Sequence, residues 1–379
     1  MAHSPIQLLL VGDLILDEPE PDRFFDGSRD LLTSAGVLAG QVEVPHTARG
    51  QESSLDIPAP ASDPQHLAAL RRAGFHAATL AGNHIYDCGP NGIEDTVAEL
   101  RAQGIATTGA GMNLDEARRP AIVERDGVRF GFLSYNCVGP RESWATPAKP
   151  GCAFVKIITH YELDYATPGG PPTIYTFADP VTLERMQEDI ERVHAEVDVL
   201  TVALHKGLGH TPATLAMYER PLAKAAIDAG ADVVVGHHAH LLQGIEVYRN
   251  RPIFHGLGNF VTVTKALSVD CNSSPARLEW ARRRRKLFGF EPDPDYPLYP
   301  FHPEAKNAIV AWCEVDKGGV RRAGFYPCWI RPDGSPEVLG EGARGVEVMS
   351  YVEKISRESG LKTTFRREGG RCIILENLG

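Results

Sequence analysis

The chain has 379 residues, of which 43% are hydrophobic and 23% charged, a balance typical of a globular protein with one large domain or two small ones. Its formal net charge of -10 argues against a nucleic acid or a membrane as partner, because phosphate groups repel an acidic protein. Seven scattered cysteines without a CxxC pair, and an N-terminus without a signal core or membrane span, predict reduced, mostly buried thiols and a cytoplasmic location.

Predicted strands and helices alternate through the first part of the chain. A short apolar run at 6–11 predicts a buried strand that ends in a turn at Gly12 and Asp13. Asp63 followed by Pro64 predicts the start of a helix. Asp126-Gly127 predicts the tight turn of a hairpin. The remaining elements predicted in this part are a helix at 63–72, a strand at 77–81, a helix at about 92–103 and hairpin strands at 121–125 and 128–135.

The alternation continues in the second part. The predicted elements are a helix at 180–196, a strand at 199–204, a helix at 214–229, a strand at 233–235, a hairpin with strands at 245–248 and 252–254, a strand at 308–315 and a helix near 345–357. We expect one domain over 1–335, interrupted by insertions at about 141–180 and 264–303, with 336–379 packed on it as a C-terminal extension. The oligomeric state stays open.

Metal-ligand side chains follow four of the predicted strands. They are Asp13, Asn83 with His84, His205, and the pair His238 and His240. The carboxyl ends of neighbouring strands in α/β sheets meet at one edge, where ligands bind. Glu43, in the first long connection, is a further candidate carboxylate, although a solvated loop position explains it equally well. The pattern predicts a metal site built from several strand ends.

The ordered motifs of these strand ends resemble those of the CapA-type proteins of the calcineurin-like metallophosphoesterase superfamily, a family named for poly-γ-glutamate capsule synthesis. The resemblance rests on Gly12-Asp13, Glu43, Gly82-Asn83-His84 with Asp87, His205-Lys206-Gly207, Gly236-His237-His238-Ala239-His240 and Gly258-Asn259-Phe260. It covers about 6–260. It implies an α/β fold, a four-layer α/β/β/α metallophosphatase-like sandwich of two mixed sheets flanked by helices.

The resemblance also implies roles for individual residues. Asp13, Asn83, His205, His238 and His240 would be metal ligands, with Glu43 as a further one. His84 would face the substrate as a general acid or as a group that stabilises an oxyanion. Asp87 would orient His84.

The chain departs from the phosphoesterase pattern at several positions. Ile15 stands where the first motif of phosphoesterases has a histidine, so one ligand to the first metal is missing. Glu43 replaces the bridging aspartate, as in CapA proteins generally, and Ala239 replaces a proline. A tryptophan of the family becomes Lys206. A mononuclear site is therefore as compatible with the sequence as a dinuclear one.

The expected chemistry follows from the ligand types. One or two divalent ions (Mn, Zn or Fe) held by histidines, an amide and a carboxylate keep open positions for water and substrate. Lys206, His237 and His255 would add positive charge that favours an anionic substrate. His84 can deliver a proton near neutral pH. His210 is an intermediate candidate, and the other histidines are expected to be structural or to lie at the surface.

The insertion at 264–303 contains the basic run Arg282-Arg283-Arg284-Arg285-Lys286. A solvated helix face and an anion-binding lid over the metal are the two interpretations of this run. Either way, we expect the insertions rather than the core to set specificity.

Three classes of function fit the sequence. The leading one is a metal-dependent hydrolase of the CapA/metallophosphatase-like group, which cleaves a phosphoester, ester or amide bond of a small or peptide-like anionic substrate. The second is a metal-assisted Cα epimerase or isomerase, for which the missing histidine at position 15 is a supporting observation. The third is a non-catalytic assembly protein for an anionic polymer such as polyglutamate.

Overall fold

The computed structural model of the chain describes residues 5–51, 61–163, 169–269 and 273–375. The α-helices are α1 (Arg29–Thr33), α2 (Ala68–Arg72), α3 (Gly89–Ala102), α4 (Leu114–Ala117), α5 (Pro180–His194), α6 (Glu219–Asp228), α7 (Pro275–Phe288) and α8 (Ala343–Glu358). The strands are β1 (Ile6–Leu16), β2 (Val37–Val42), β3 (Ala77–Thr79), β4 (Ala106–Thr108), β5 (Ala110–Gly111), β6 (Ala121–Arg125), β7 (Val128–Asn136), β8 (Gly151–Cys152), β9 (Ile157–Glu162), β10 (Thr173–Ala178), β11 (Val199–Lys206), β12 (Val233–His238), β13 (Ile245–Tyr248), β14 (Arg251–Phe254), β15 (Asn259–Val263), β16 (Asn307–Asp316), β17 (Gly319–Ile330), β18 (Pro336–Val338), β19 (Phe365–Glu368) and β20 (Arg371–Ile374).

The first large sheet has the strand order β19-β20-β17-β16-β1-β2-β3-β4, with β18 beside β17. β1 is its central strand and lies parallel to β2, while β3 continues the parallel order. The first half of β1 pairs with antiparallel β16, and its second half pairs with parallel β15. This change of partner places Asn259 directly beside Asp13.

The second large sheet has the order β13-β14-β12-β11-β7-β6. β11 lies between β7 and β12 and is parallel to both. The carboxyl ends of β7, β11 and β12 therefore meet at one edge, as those of β1, β2 and β3 do in the first sheet.

Side-chain alternation along the strands separates three apolar cores. Leu8 and Leu10 of β1 pack with Val199 and Ala203 of β11 in a core between the two sheets. Leu9 and Val11, which point the other way, pack in a core that includes residues of α2 and α3. Leu200, Val202 and Leu204 point away from the first sheet and pack with residues of α5 and α6. The order of layers is therefore helices, sheet, sheet, helices, which confirms the predicted four-layer α/β/β/α sandwich of mixed sheets.

Most of the predicted elements are present. Asp63 caps its helix by accepting a hydrogen bond from the amide of Gln65, and Asp126 and Gly127 both have the positive φ angles of the predicted tight turn. Several predictions need correction at their ends. β12, predicted at 233–235, continues through His237 to His238, and β3, predicted at 77–81, ends at Thr79. β1 continues through Gly12 and Asp13 to Leu16, β11 continues through His205 to Lys206, and α6 starts at Glu219 rather than near position 214.

Both predicted insertions contain regular structure. The first holds the hairpin of β9 and β10, and the second holds α7. The described cysteines, at positions 88, 137, 152, 313, 328 and 372, are buried, as predicted, and Cys271 lies outside the described residues. The predicted domain boundaries stay a prediction.

Candidate metal centre

Two buried carboxylates and a partly buried histidine converge where the two sheets meet. Asp13 lies within β1, Glu43 directly follows β2, and His240 lies two residues beyond β12. One donor atom from each of the three lies within 4.8 Å of the other two. Nε2 of His240 lies 3.4 Å from Oε1 of Glu43, and Nδ1 lies 3.7 Å from Oδ2 of Asp13. Because one donor atom from each lies this close to the other two, the three residues can share one cation.

A second group of predicted ligands adjoins the first. Nε2 of His205 lies 2.8 Å from Oδ1 of Asn83. The rings of His205 and His238 are 5.0 Å apart, and those of His238 and His240 are 6.4 Å apart. The amide of His238 donates a hydrogen bond to Oδ2 of Asp13, which ties the two groups together. The structure thus brings all six predicted metal ligands into one region.

The polar atoms of this region fit a divalent cation. Oδ1 of Asp13 and both carboxylate oxygens of Glu43 are buried without a hydrogen-bond partner. Burying such oxygens is costly unless a cation or a proton compensates them. Burial, and secondarily the charge of Glu43, raise the pKa of Asp13 well above its usual value, and burial raises the pKa of Glu43 to about 7. A bound cation would offset the cost of burying these oxygens and would keep both carboxylates ionised.

The histidines are in the form that binds metals. Burial lowers the pKa of His238 to about 3, and burial also lowers the pKa of His205 and of His240. All three are therefore neutral near pH 7, and a neutral imidazole has a lone pair for a metal ion.

The backbone of the histidine motif is bent to reach the site. His238 and His240 both have positive φ angles, of 85° and 54°. Non-glycine residues adopt such angles rarely, and they do so mainly where the surrounding structure imposes them, often at functional sites. The bend turns the chain after β12 toward Asp13 and Glu43.

Asn259 fixes the orientation of His240 and was not predicted as a site residue, although its motif was recognised. Nδ1 of His240 donates to Oδ1 of Asn259 at 2.9 Å, which leaves Nε2 directed toward Glu43. Asn259 in turn donates to the hydroxyl of Tyr299, which donates to the carbonyl of Ala305. Metal-binding histidines are commonly held in this way through their second nitrogen.

His84 and Asp87 form a buried pair beside the predicted ligands. Nδ1 of His84 lies 2.6 Å from Oδ2 of Asp87, and both side chains are almost fully buried. His84 is near enough to the centre that its charge acts on the pKa of Asp13, Glu43 and His240. The pair matches the predicted relation between a proton-carrying histidine and a carboxylate that orients it.

Lys206 does not line the site, contrary to the prediction. His205 points between the sheets, and the next residue of a strand points to the opposite face. Nζ of Lys206 is fully buried there, 2.6 Å from Glu219 of α6, and also donates to the carbonyl of His255. Its charge is neutralised by Glu219, so it is structural.

His237 and His255 also differ from the prediction that they add positive charge to the site. Nε2 of His237 lies 3.4 Å from the carbonyl of Val11, and Nε2 of His255 lies 3.1 Å from Oε2 of Glu246. Burial lowers the pKa of each ring to about 4, so both are neutral at pH 7. His255 belongs to a polar cluster with Glu246 and Arg220.

The insertion after β15 covers the histidine side of the site. The ring of His210 stacks on His240 at 5.3 Å between centroids, and Phe301 lies 5.0 Å from His240. Nη2 of Arg284, a residue of α7, lies 3.5 Å from Nε2 of His210. His210, an intermediate candidate in the sequence, is therefore part of the surroundings of the metal ligands.

Among the residues described, none of the helices has the length and apolar character needed to span a bilayer.

Two mixed sheets packed between helices, with carboxylate, amide and histidine side chains at their joined strand ends, define an α/β/β/α sandwich protein with a candidate metal site. A family model described as "Bacterial capsule synthesis protein PGA_cap" matches residues 7–264. The chain belongs to this family.

Two relatives illustrate the similarity in sequence. The chain is 29% identical over 261 residues to "PGA biosynthesis protein CapA" of Bacillus subtilis (strain 168), which covers 66% of this chain and 62% of that protein. It is 31% identical over 236 residues to a "Probable polyglutamine synthesis accessory protein" of Mycobacterium tuberculosis, covering 60% and 56%. The chain thus spans less than two thirds of the length of these relatives.

Among solved structures, the fold is similar to the calcineurin-like phosphoesterase YfkN of Bacillus subtilis. The TM-score is 0.41 at 12% sequence identity, and the match covers 94% of this chain and 98% of the other.

Proposed function

We propose that the chain is a metal-dependent hydrolase that acts on a phosphoester, ester or amide bond of a small or peptide-like anionic substrate. The observation that carries the proposal is the convergence of two buried carboxylates, Asp13 and Glu43, with neutral histidines, where Oδ1 of Asp13 and both oxygens of Glu43 lack a hydrogen-bond partner. Burying such a donor set in an apolar core costs free energy unless a cation is bound to it.

Asp13, Glu43, Asn83, His205, His238 and His240 would hold the ion or ions. A divalent ion bound there would polarise a substrate oxygen and make water a stronger nucleophile near neutral pH. The donor set of oxygen and nitrogen atoms suits Mn, Zn or Fe and does not choose among them.

His84 would carry the proton that the leaving group needs. Its Nδ1 is held by Asp87 at 2.6 Å, so the exchangeable proton would be carried on Nε2. The buried position of the pair excludes most water and keeps the imidazole in one orientation.

The names of the relatives support a role in the synthesis of a capsule polymer. One relative, from Bacillus anthracis, is named a capsule biosynthesis protein. Another, from Mycobacterium tuberculosis, is named a probable polyglutamine synthesis accessory protein. A role in capsule or polyglutamate synthesis, catalytic or as an assembly protein, is therefore part of the proposal.

One observation favours a second enzymatic candidate. Ile15, at the position of a phosphoesterase ligand, is buried in the apolar core of which α2 and α3 form part. The loss of this ligand weakens the dinuclear geometry used for phosphoester hydrolysis. Proton removal and return at a Cα next to a carbonyl, with His84 as one of the proton carriers, would need only one cation.

The proposal is tested with chain supplied with Mn²⁺, Zn²⁺ or Fe²⁺. The panel contains p-nitrophenyl phosphate, bis-p-nitrophenyl phosphate, p-nitrophenyl acetate and γ-glutamyl-p-nitroanilide, and a peptide panel is followed for deuterium uptake from D₂O. We expect metal-dependent cleavage of at least one substrate, lost in His84→Ala and kept in His160→Ala, which changes an exposed histidine of β9.

Deuterium uptake without cleavage would indicate that the chain catalyses epimerisation rather than hydrolysis. Absence of both reactions with every metal, together with polyglutamate binding that is unchanged in His238→Ala, would contradict an enzymatic role and favour an assembly protein.

A further inference from the structure

The basic run of the second insertion is not uniformly solvated. Arg282, Arg283, Arg285 and Lys286 are exposed on α7, as a solvated helix face requires. Arg284, in the middle of the run, is only 9% exposed. A buried arginine needs either a carboxylate partner or another reason to be held there.

Aromatic side chains hold Arg284 in place. Its guanidinium lies 5.5 Å from the ring centroid of Trp280 and 5.8 Å from that of Phe290. Nη2 lies 3.5 Å from Nε2 of His210, whose ring stacks on His240. Arg284 therefore contacts His210, and the ring of His210 contacts the predicted metal ligand His240.

A cavity of about 660 Å³ opens beside Arg284, between α7 and the segments that precede and follow it in the chain. Trp280, Phe290 and Tyr296 supply much of its apolar wall. A volume of this size is typical of sites for small ligands.

The charged groups that line the cavity are paired, apart from Arg284. Lys265 pairs with Glu18 at 2.7 Å, Arg285 with Glu291 at 3.0 Å, and Asp293 with Lys306 at 2.5 Å. For Arg284, the described residues supply no carboxylate within ion-pair distance, and its Nε is buried without a hydrogen-bond partner. Burial lowers the pKa of Arg284 only to about 10, so the guanidinium stays charged at neutral pH. Among the described residues, Arg284 is thus the one charged group of the cavity wall without a compensating partner.

We propose that this cavity is a substrate subsite in which Arg284 binds a single carboxylate group, with the adjoining part of the substrate lying on Trp280 and Phe290. The inference rests on the proposed function, since the bound molecule would extend past His210 to the candidate metal centre. One guanidinium matches the single charge of a carboxylate in bidentate geometry. A phosphate monoester carries nearly two charges and would call for a second unpaired cation.

The test measures binding rather than turnover. Hippurate, which has an aromatic ring and one carboxylate, is titrated into the full chain by calorimetry, with and without Mn²⁺. Hippuramide, its uncharged counterpart, and phenyl phosphate are the comparison ligands. We expect hippurate to bind in both conditions, and more tightly than either comparison ligand.

Substitutions then locate the binding. Arg284→Gln should raise the Kd of hippurate at least tenfold, a loss of about 1.4 kcal/mol. Arg284→Lys keeps the charge and should recover part of the affinity. Arg283→Gln changes an exposed neighbour in the same run and should leave the Kd unchanged.

Three outcomes would overturn the proposal: equal binding of hippurate by the wild type and Arg284→Gln, tighter binding of phenyl phosphate, or no binding of hippurate. Glu43→Gln distinguishes the two proposals. Hippurate binding should survive in that variant, even if the metal-dependent reaction is lost or proves never to have existed.

Discussion

Oε1 of Glu43 lies 3.4 Å from Nε2 of His240, although Glu43 follows a strand of the first sheet and His240 follows a strand of the second. The pair spans the junction of the sheets and has Asp13 as its third member. The candidate metal centre is therefore assembled only when the two sheets have packed together.

Glu43→Gln should change stability in opposite directions with and without metal. The substitution keeps the shape but removes a carboxylate that is buried without a hydrogen-bond partner. Metal-free chain should gain about 1–3 kcal/mol of unfolding free energy. The stabilisation that added Mn²⁺ gives to the wild type should be largely lost. Thermal unfolding with EDTA and with Mn²⁺ measures both. A destabilised metal-free variant that responds normally to Mn²⁺ would argue against Glu43 as a ligand.

Asp87→Asn should slow the reaction without removing the metal. The amide can still contact His84 but no longer stabilises its protonated ring, and loss of such a partner costs about 10–100-fold in activity. We expect kcat to fall by this factor while metal content, measured by elemental analysis, stays at the wild-type level. Loss of metal together with activity would instead make Asp87 part of the metal-binding set.

Lys206→Met should affect stability rather than the reaction. The ion pair with Glu219 is fully buried, and removing one partner leaves an uncompensated charge, at a cost of about 3–5 kcal/mol. The double variant Lys206→Met/Glu219→Gln removes both charges and should recover much of this loss. Urea unfolding of the single and double variants measures the difference. If Lys206→Met were as stable as the wild type but inactive, the originally predicted role beside the substrate would be restored.

Acid should destabilise the chain in part through His46. Its Nδ1 donates to the carbonyl of Val44, its Nε2 is buried without a hydrogen-bond partner, and burial lowers the pKa of the ring to about 4. An unfolded histidine has a pKa near 6.5, so between about pH 6.5 and pH 4 the unfolded state binds more protons than the folded state. Stability therefore falls as the pH drops through this window, by up to about 3 kcal/mol from this residue.

His46→Asn checks this contribution. An asparagine can donate to Val44 but does not titrate. We expect the difference in unfolding free energy between pH 7 and pH 4.5 to be smaller in the variant than in the wild type, whatever the variant's stability at pH 7. An unchanged difference would show that His46 does not contribute to acid unfolding.

The strand ends were predictable because the sequence marks them locally. An apolar run followed by a ligand-type residue places Asp13 and Asn83 at the carboxyl edge of the first sheet, and His205 and His238 at that of the second. The four-layer α/β/β/α architecture was predicted from the resemblance of the ordered motifs to those of the CapA-type family.

The prediction that Lys206 lines the site was wrong, and side-chain alternation along the strand could have shown this. Val199 and Ala203 face the inner core, so His205 shares their face and Lys206 lies on the other. Extending the strand by two residues would have predicted a buried lysine under α6. The partner Glu219 could not be identified, since the pairing depends on tertiary packing.

The roles of Asn259, His210 and Arg284 depend on contacts between distant parts of the chain. Asn259 meets His240 because β15 pairs with the second half of β1, a change of partner that has no signal in the sequence. Arg284 has four basic neighbours of the same type, and only the packing of α7 distinguishes the buried one.

The most direct test of the account is the metal content of the chain. Chain stripped with EDTA is dialysed against Mn²⁺ or Zn²⁺ and analysed by elemental analysis, beside His238→Ala/His240→Ala and the control His160→Ala. We predict one or two bound ions per chain for the wild type and the control, and a marked loss for the double variant. A wild type that retains no ion, or a double variant that retains as much as the wild type, would contradict a metal centre at these strand ends.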